Sequence, residues 1–486
     1  MKPSLRPGQL RLLALLAGPL LGILVFTAVP DQTLALNGDP IILGTPGRAT
    51  AGLAAWMAVW WLTEAISIYA TALLPLALLP LVGANDISTT AKAYAHPMIF
   101  LFLGGFILAL ALERWHLHRR FAFTILRLVG TKPATLVGGF MFVSATMSMW
   151  ITNTATVLVL LPILLSIIQL LDKKAPNREN FSLCLLLGVA YAASIGGVGT
   201  IVGTVPNMFT VSFIQNELGI GISFTRWLGI GLPLVVIFVP LTWWLLTHCI
   251  YPPGKTPIDG KLLHEPSEPW TLGAKLTLTI FLLTALGWVA RPLLTKLPGL
   301  GALSDTGVAI LATLLLFSIP VNLKKREFLM DWDTATRVPW GVLLLFGGGL
   351  ALAGAISSTG VGELLALQLA SVQEFPPLVT TLLVVILVIF LTELTSNTAT
   401  TTTLVPIFAA MAIGLGIDPL AIIIPATIAA SFAFMLPVAT PPNAIVFSAN
   451  IIHIPQMAKA GFWINICGAL VITLVLHLTL KSGLAG

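Results

Sequence analysis

Long apolar segments without charged residues dominate this chain, and they constrain its fold more than any other feature. Residues 133–171, for example, contain no Asp, Glu, Lys or Arg over 39 positions. About 20 apolar residues in a helix cross the core of a bilayer, and a helix satisfies its backbone hydrogen bonds internally. Charged residues make up only 9% of the chain, whereas soluble proteins contain about 25%. The sequence therefore predicts an all-α polytopic membrane protein.

The charge balance and the cysteines indicate neither a nucleic-acid partner nor a bound cofactor. The formal net charge is +6, and basic residues on cytoplasmic loops commonly give a membrane protein such an excess. The three cysteines match no metal or redox spacing, and we expect them to be core residues. They are Cys184, Cys249 and Cys467.

We predict about 11 transmembrane helices and two re-entrant hairpins. Simple spans are expected near residues 11–30, 50–66, 67–84, 97–112, 227–250, 274–292, 304–320 and 460–480. Glu64 lies between two of these spans, and we interpret it as a helix-end residue rather than a buried polar anchor. Residues 113–130 are basic and amphipathic, so we expect a helix on the cytoplasmic membrane surface. Its histidines, His116 and His118, lack the further ligands that a metal site needs.

Two apolar segments are interrupted by a polar tip that contains an asparagine. Residues 151–162 read ITNTATVLVLLP, and residues 391–406 read LTELTSNTATTTTLVP. In both segments a proline follows the asparagine, Asn153 or Asn397, by nine positions. Polar side chains at membrane depth are costly unless they face protein, water or a ligand. We therefore predict that each segment forms two half-length helices that meet at the polar tip, with the second hairpin over about residues 377–414.

The two halves of the chain contain the same motifs in the same order. Pro97 begins PMIFLFLGGF and Pro339 begins PWGVLLLFGGGL, 242 residues later. The two tip asparagines are 244 residues apart, and the Thr-x-Pro-Asn segments that begin at Thr204 and Thr440 are 236 apart. Glycine and proline in these last segments break the helix and free backbone carbonyls. The pattern predicts two structural repeats joined by the loop at residues 251–270.

The distribution of basic residues indicates that the repeats have inverted topology. The loops after the first hairpin and before the second repeat are basic, whereas residues 357–377, which lead into the second hairpin, contain no Lys or Arg. The basic loop residues are Lys173, Lys174, Arg178, Lys324, Lys325, Arg326 and Arg337. Since basic loops stay in the cytoplasm, the first hairpin opens to the cytoplasm and the second opens outside. We expect an integral protein of the inner (plasma) membrane, with the N-terminus cytoplasmic and the C-terminus outside.

The polar segments offer oxygen ligands but no fixed positive charge. Residues 133–171, 181–216 and 376–452 contain no Lys or Arg, and their only acidic residues are Glu393 and Asp418. Helix N-termini attract anions by about 0.3–1 kcal/mol each, which is too little for a dianion. Asn and Thr oxygens suit an alkali cation, as do the carbonyls of Gly196, Gly197, Gly199 and Ala439. A co-bound cation, with sodium as the hypothesis, would supply the missing positive charge.

The paired (Ser/Thr)-Asn-Thr tips, the two Thr-x-Pro-Asn segments, WWLTEAIS and FLFLGGF resemble the divalent anion:sodium symporter family over nearly the whole chain. Members of this family carry dicarboxylates, citrate or sulfate. The resemblance implies a homodimer with scaffold and transport domains and an elevator-type movement in the lipid bilayer. Residues 1–96 would then be mostly scaffold, 97–250 repeat 1 with its hairpin at about 133–171, 251–338 the linker loop and scaffold helices, and 339–486 repeat 2 with its hairpin and the C-terminal helix.

The resemblance also implies two sodium sites and a substrate site. The first sodium ion would bind Ser148, Thr152, Asn153 and Gly199, and the second Thr392, Ser396, Asn397 and Ala439. The substrate would meet Asn153, Thr154, Asn397 and Thr398, with Thr200, Pro206, Thr440 and Pro442 nearby. Two positions depart from the family pattern. Thr152 replaces a serine at the first tip, and Val205 stands where the second broken helix has Pro441.

The function that we expect is sodium-coupled uptake of di- or tricarboxylates of the succinate, malate, fumarate and 2-oxoglutarate class. A sodium-independent dicarboxylate exchanger and a sodium:sulfate symporter are the alternatives. Small polar residues also join membrane helices without any transport role, but two matched runs favour a site. An intramembrane enzyme would need a nucleophile, a carboxylate pair or a metal cluster, and only Glu393 has a suitable position, so we do not expect an enzyme. Inverted half-sites favour a carrier over a channel.

Overall fold

The computed structural model describes residues 7–34, 40–118, 120–121, 130–170, 177–254, 269–368, 376–414 and 416–481. Its helices, in chain order, are α1 (Pro7–Ala28), α2 (Gly44–Thr63), α3 (Ile68–Thr71), α4 (Leu74–Leu81), α5 (Ile87–Ala93), α6 (Pro97–Arg114), α7 (Pro133–Ser148), α8 (Asn153–Leu170), α9 (Arg178–Gly197), α10 (Val205–Leu218), α11 (Phe224–Trp244), α12 (Leu272–Leu294), α13 (Asp305–Ser318), α14 (Trp332–Ala335), α15 (Trp340–Ser358), α16 (Val361–Gln368), α17 (Pro377–Thr392), α18 (Asn397–Gly414), α19 (Leu420–Ala430), α20 (Pro441–Phe447) and α21 (Ile454–Lys481). A π-helical turn, Leu245–Ile250, continues α11.

Short strands form two antiparallel pairs. The first pair is β1 (Gln32–Leu34) with β2 (Pro40–Ile42), in a register that sets Thr33 opposite Ile41. The second pair is β3 (Pro320–Asn322) with β4 (Glu327–Phe328). Both pairs lie in connections between helices, so the fold is helical in character, as predicted.

The chain forms two compact units, and each combines distant parts of the sequence. The first unit contains residues 1–99, 208–222 and 339–430, and the second contains residues 100–207, 223–338 and 431–486. The first hairpin (α7 and α8) therefore belongs to the second unit, and the second hairpin (α17 and α18) to the first unit. The division into scaffold and transport domains stays a prediction.

In the first unit, close helix packing depends on small residues. A Cβ added at Gly52 of α2 would lie 2.5 Å from the carbonyl oxygen of Gly22 in α1. Similarly, a Cβ at Gly348 of α15 would lie 2.1 Å from the carbonyl oxygen of Ala72. Such contacts are typical of membrane helices, whose association relies on close backbone approach. The buried side chains of Trp61 and Leu345 belong to the core of this unit.

Glu64 is a helix-end residue, as expected. It follows α2 with a left-handed φ of 47°, and its side chain is exposed. The span predicted at residues 67–84 coincides with the apolar helical stretch Ile68–Leu81, which is divided into two short helices because α3 ends at Thr71 and α4 begins at Leu74. Pro75 lies in the first turn of α4, where its missing N–H prevents the helix from continuing through it.

In the second unit, α9 is the central helix. All of its side chains from Phe181 to Gly197 are buried, and it packs against α7, α8, α11 and α20. Cys184 lies within this core and is buried, but Cys249 is exposed and Cys467 is half-buried. The expectation of core cysteines therefore holds for Cys184 alone.

Six helical stretches of the described residues are long and apolar enough to cross a bilayer. They are Ile87–Arg114, Arg178–Gly197, Phe224–Ile250, Leu272–Leu294, Trp340–Ser358 and Ile454–Thr479. Shorter apolar helices include three of the four hairpin helices, α7, α8 and α17. The chain is therefore a polytopic membrane protein, while the number of spans, the inverted repeats and the re-entrance of the hairpins stay predictions.

Parts of the predicted cytoplasmic surface lie outside the described residues. Of the basic stretch 113–130, residues 119 and 122–129 are not described, and most of the loop 251–270 is also outside. Lys173 and Lys174 also lie outside the described residues. The rings of His116 and His118 lie 6.2 Å apart, and within the described residues no group of three or more metal-binding side chains is found.

Candidate functional site

The two hairpins have the same helix lengths and the same tip length. In the first, α7 has 16 residues and α8 has 18 residues, separated by residues 149–152. In the second, α17 has 16 and α18 has 18, separated by residues 393–396. Each helix boundary of the second hairpin is 244 positions after that of the first. The spacing of the two asparagines thus extends to the whole helix pair.

Both asparagines occupy the first position of the outgoing helix of their hairpin. At the first tip, the Thr152 hydroxyl accepts a hydrogen bond from the Ala155 N–H at 3.2 Å, so it caps the start of α8. Because α8 begins at Asn153 and α18 at Asn397, each tip presents the N–H groups of a helix N-terminus. This end of a helix favours anions.

A buried hydroxyl contacts the asparagine side chain at each tip. The Ser148 hydroxyl donates to Asn153 Oδ1 at 2.5 Å. The Thr392 hydroxyl lies 3.0 Å from Asn397 Oδ1 and 2.9 Å from the Ala430 carbonyl oxygen. Ser148 and Thr392 are both fully buried, whereas the two asparagines are half-buried. Each tip therefore has a pair of uncharged side-chain oxygens at one place, a donor set that suits a hard cation such as sodium.

The first tip is also tied to the broken segment that follows α9. The Thr200 hydroxyl donates to the Met149 carbonyl at 2.5 Å and accepts from the Gly203 N–H at 3.1 Å. Thr200 is only 1% exposed. Its hydroxyl therefore links the tip to the broken helix, and its proposed contact with substrate stays a prediction.

Two asparagines to which the sequence analysis gave no role bind the carbonyls of the broken segments. The amide nitrogen of Asn207 donates to the carbonyls of Gly197 at 3.1 Å, Val198 at 3.2 Å and Thr200 at 2.8 Å. The signal was present in the sequence, because each Thr-x-Pro-Asn segment ends in such an asparagine. The sequence did not reveal which carbonyls lie within its reach.

Asn443 makes the corresponding contacts in the second half of the chain. Its amide nitrogen donates to the carbonyls of Ala433 and Leu436, both at 3.0 Å. These positions lie 236 residues after Gly197 and Thr200, the same separation that relates Asn207 to Asn443. The repeat therefore extends to individual hydrogen bonds within the second unit.

These contacts distinguish among the carbonyls that were expected to bind a cation. The Gly196 carbonyl accepts from the Gly199 N–H at 2.9 Å, and the Gly197 carbonyl accepts from Asn207. No residue in the described ranges donates to the carbonyl of Gly199 or of Ala439. Of the four expected carbonyl ligands, Gly199 and Ala439 therefore keep their oxygens unengaged, whereas Gly196 and Gly197 do not.

The remaining predicted site residues differ in their accessibility. Thr154, Thr398 and Ser396 are half-buried near the tips, and Thr152 is exposed. Pro206, Pro442 and Thr440 are buried, and the Thr440 hydroxyl accepts from the Asn443 N–H at 3.3 Å, which caps α20. The partly accessible residues are thus those of the tips, and the buried residues shape the segments behind them.

Several ion pairs lie outside the tip residues 149–152 and 393–396. They include Arg48–Asp31, Arg114–Asp331, Arg291–Asp305 and Arg337–Glu113. Glu393, the acidic residue of the second tip, is 3% exposed and directly follows α17.

The arrangement of helices matches that of a solved membrane transporter. The crystal structure of the Alcanivorax borkumensis YdaH transporter aligns with 98% of this chain and 97% of that chain, with a TM-score of 0.62 and 16% sequence identity. At this identity the likeness concerns the fold alone. The chain thus has the fold of a helical membrane transporter.

Sequence similarity identifies the family to which the chain belongs. The family described as sodium:sulfate symporter transmembrane region matches residues 20–481. The sodium-dependent dicarboxylate transporters SdcS of Staphylococcus aureus strains USA300 and MRSA252 are 39% and 40% identical to this chain over 482 residues, covering 96% of this chain and 91% of theirs. The chain belongs to this family, the divalent anion:sodium symporters, which confirms the resemblance.

Proposed function

We propose that this protein is a secondary active transporter that couples the uptake of a dicarboxylate to sodium. The observation that carries the proposal is the matched pair of tips, where a buried hydroxyl meets an asparagine oxygen: Ser148 with Asn153, and Thr392 with Asn397. The similarity to proteins named sodium-dependent dicarboxylate transporters supports the same function. Each of the two oxygen clusters offers the uncharged ligands that a sodium ion requires.

The charge of the substrate is the physical reason for coupling to a cation. A dicarboxylate brings two negative charges into polar segments that contain no Lys or Arg. Moving unpaired charges from water into a low-dielectric region is strongly unfavourable. Bound sodium ions would supply the positive charge, so that the anion binds tightly only when sodium is present. This order of binding is also what a symporter needs.

The movement that we propose is of the elevator type. Inverted repeats give two related conformations in which a binding site near the bilayer midplane opens to opposite sides. One group of helices would serve as a scaffold and dimer interface, while the other carries the tips across the membrane. The homodimer, the plasma-membrane location and the sodium and substrate ligands inferred from the family resemblance are parts of the same proposal.

Uptake into proteoliposomes tests the proposal. Purified protein is reconstituted into liposomes with an inwardly directed sodium, lithium or potassium gradient and a clamped membrane potential, and uptake of succinate, malate, fumarate, 2-oxoglutarate, citrate and sulfate is measured. We expect saturable uptake of the C4 dicarboxylates with sodium and little with potassium. Equal uptake with and without sodium into dicarboxylate-loaded liposomes would indicate an exchanger instead. A preference for sulfate would identify the family's other substrate class.

A further inference from the structure

We infer that Asn207 is a positioning residue for the first sodium site, and that Asn443 fixes the second broken segment in the same way. Each holds the carbonyls of a broken helix with its side-chain amide, which we call the amide clamp, and the clamp of Asn207 leaves the Gly199 carbonyl to bind the cation. This inference rests on the proposed function for its sodium readout. The geometry of the clamps stands without it.

The orientation of each amide is fixed by its surroundings. Three carbonyl oxygens, all of them acceptors, lie 2.8–3.2 Å from the side-chain amide nitrogen of Asn207. If the amide were rotated by half a turn, its own oxygen would face these oxygens, which is repulsive. The same holds at Asn443, whose nitrogen faces two carbonyls. The clamp therefore depends on the amide N–H donors.

The clamped carbonyls need donors because the helix is broken inside an apolar region. The last carbonyls of a helix have no partner within it, and in a bilayer water does not replace that partner. At the first broken segment, Trp227 Nε1 also donates to the Val198 carbonyl at 3.0 Å. At the second, the Tyr191 hydroxyl donates to the Phe434 carbonyl at 2.8 Å. Both segments are thus held by side-chain donors from elsewhere in the second unit.

The clamp of Asn207 selects which carbonyl of the first broken segment remains for a ligand. In the first segment, Gly197, Val198 and Thr200 are engaged by Asn207, and no described residue donates to the carbonyl of Gly199 between them. A carbonyl whose neighbours on both sides are fixed cannot turn to share their donors. The carbonyl of Gly199 is therefore held in one direction, as a cation ligand requires.

Each of the two asparagines buries an unsatisfied side-chain oxygen, which supports a specific role for its amide. Asn207 and Asn443 are fully buried, and neither side-chain oxygen has a hydrogen-bond partner in the described structure. A buried acceptor without a donor destabilises the folded protein. At both positions an unsatisfied side-chain oxygen is retained beside clamped carbonyls at equivalent positions. The hydrogen bonds donated by the amide N–H groups must therefore provide a function that an apolar side chain could not.

The test replaces the amide donor while keeping the shape of the side chain. Asn207→Leu and Asn443→Leu keep the number and branching of the side-chain heavy atoms but remove the amide, so the clamp is lost and no charge is introduced. Asn180→Leu is the control, because the Asn180 amide also donates to a backbone carbonyl, that of Pro252 at 3.1 Å, but at the opposite end of α9 from Gly197. Folding is checked by size-exclusion chromatography and thermal unfolding in detergent.

We expect Asn207→Leu to raise the sodium concentration for half-maximal succinate uptake by about 10- to 100-fold, the usual effect of removing a residue that orients a metal ligand. The KM for succinate at saturating sodium should stay within about twofold of wild type, because the substituted side chain is not a proposed substrate ligand. A sodium dependence of Asn207→Leu equal to that of wild type would overturn the inference. So would unfolding of both clamp variants beside a folded Asn180→Leu protein.

Hydrogen–deuterium exchange separates this inference from the proposed function. Without sodium, peptides that cover residues 196–203 should exchange faster in Asn207→Leu, and those that cover 433–440 faster in Asn443→Leu, while Asn180→Leu matches wild type at both. This result is expected even if wild-type uptake proves independent of sodium, which would refute the proposed function alone. Unchanged exchange in both segments would show that the clamps do not hold them.

Discussion

Gly197 and Asn153 approach so closely that no side chain fits between them. A Cβ added at Gly197 would lie 2.6 Å from Asn153 Oδ1 and 3.1 Å from the Gly203 carbonyl oxygen. Because Gly197, at the end of α9, has no side chain, the side chain of the tip residue Asn153 can lie directly against it. The position of the candidate sodium ligand depends on a residue that carries no functional group.

Gly197→Ala should abolish most transport without unfolding the protein. The added methyl group must displace the Asn153 side chain, and a displacement of about 1 Å at a binding group is enough to reduce activity about 100-fold. Sodium-dependent succinate uptake in proteoliposomes measures the effect. Gly229→Ala is the control, because a Cβ at Gly229 meets no atom within 4 Å. Uptake by Gly197→Ala equal to that of Gly229→Ala would contradict the role of the close approach.

Asn153→Ala and Asn397→Ala should each abolish uptake, while expression, dimerisation and thermal unfolding stay close to wild type. Each substitution removes the amide oxygen that meets Ser148 or Thr392, and both asparagines are half-buried rather than part of the core. If both variants unfold or lose the dimer, the tips serve the fold instead of a binding site. A single inactive variant beside a fully active one would mean that only one tip binds the cation.

The sequence was sufficient to predict the tips because polar residues in an apolar, charge-free segment are expensive and the pattern occurs twice. It identified Ser148, Asn153, Thr392 and Asn397, and the structure places each hydroxyl beside its asparagine oxygen. It also identified the family and the helical membrane fold, which are confirmed. These features depend on spacing along the chain, which a sequence contains directly.

The sequence was insufficient where the answer depends on which groups meet across the fold. It treated Gly196, Gly197 and Gly199 alike as carbonyl ligands, although hydrogen bonds from Gly199 and Asn207 engage two of them. It likewise gave Asn207 no role. A glycine-rich segment in a sequence indicates that backbone carbonyls are free of helical hydrogen bonds. Which of these carbonyls then accept a hydrogen bond depends on side chains that are distant in sequence and close only in the folded protein.

The acid stability of the second unit should depend on Asp331. The Thr334 N–H donates to its carboxylate at 2.8 Å, and this contact, followed by the Thr334 hydroxyl and the Arg114 guanidinium, lowers the pKa of Asp331. Since the folded pKa lies below the unfolded value of about 3.9, the ionised group stabilises the folded protein at higher pH. This contribution is lost as the pH falls through the folded pKa.

Asp331→Asn removes the charge but keeps a side chain that caps α14, because asparagine is an equally good N-cap. We expect the variant to lose less stability than wild type as the pH falls below about 5, because the unfolded chain takes up the Asp331 proton near its pKa of about 3.9 and the folded protein only at lower pH. Thermal unfolding in detergent at a series of pH values provides the measurement. Parallel curves for the two proteins over this range would show that Asp331 does not contribute to the acid limb.

One difference between the two tips is a pair of hydroxyls in the second hairpin, and a double-mutant cycle can measure their interaction. In the second hairpin, the Thr395 hydroxyl donates to the Leu391 carbonyl at 3.0 Å and lies 2.6 Å from the Thr400 hydroxyl. The position equivalent to Thr395 in the first hairpin is Ile151, and the buried Thr156 hydroxyl there has no partner in the described structure. The hydroxyl pair therefore exists in one repeat only.

Thr395→Val should destabilise the protein by about 1–3 kcal/mol, because it leaves the buried Thr400 hydroxyl without an acceptor. Thr395→Val combined with Thr400→Val should recover part of that loss, with a coupling of about 0.6 kcal/mol, the average for hydroxyl contacts between membrane helices. Thr156→Val is the matched control and should be neutral or stabilising, since it removes a hydroxyl that is already unsatisfied. Strictly additive effects in the cycle, measured by thermal unfolding in detergent, would mean that the two threonines do not interact.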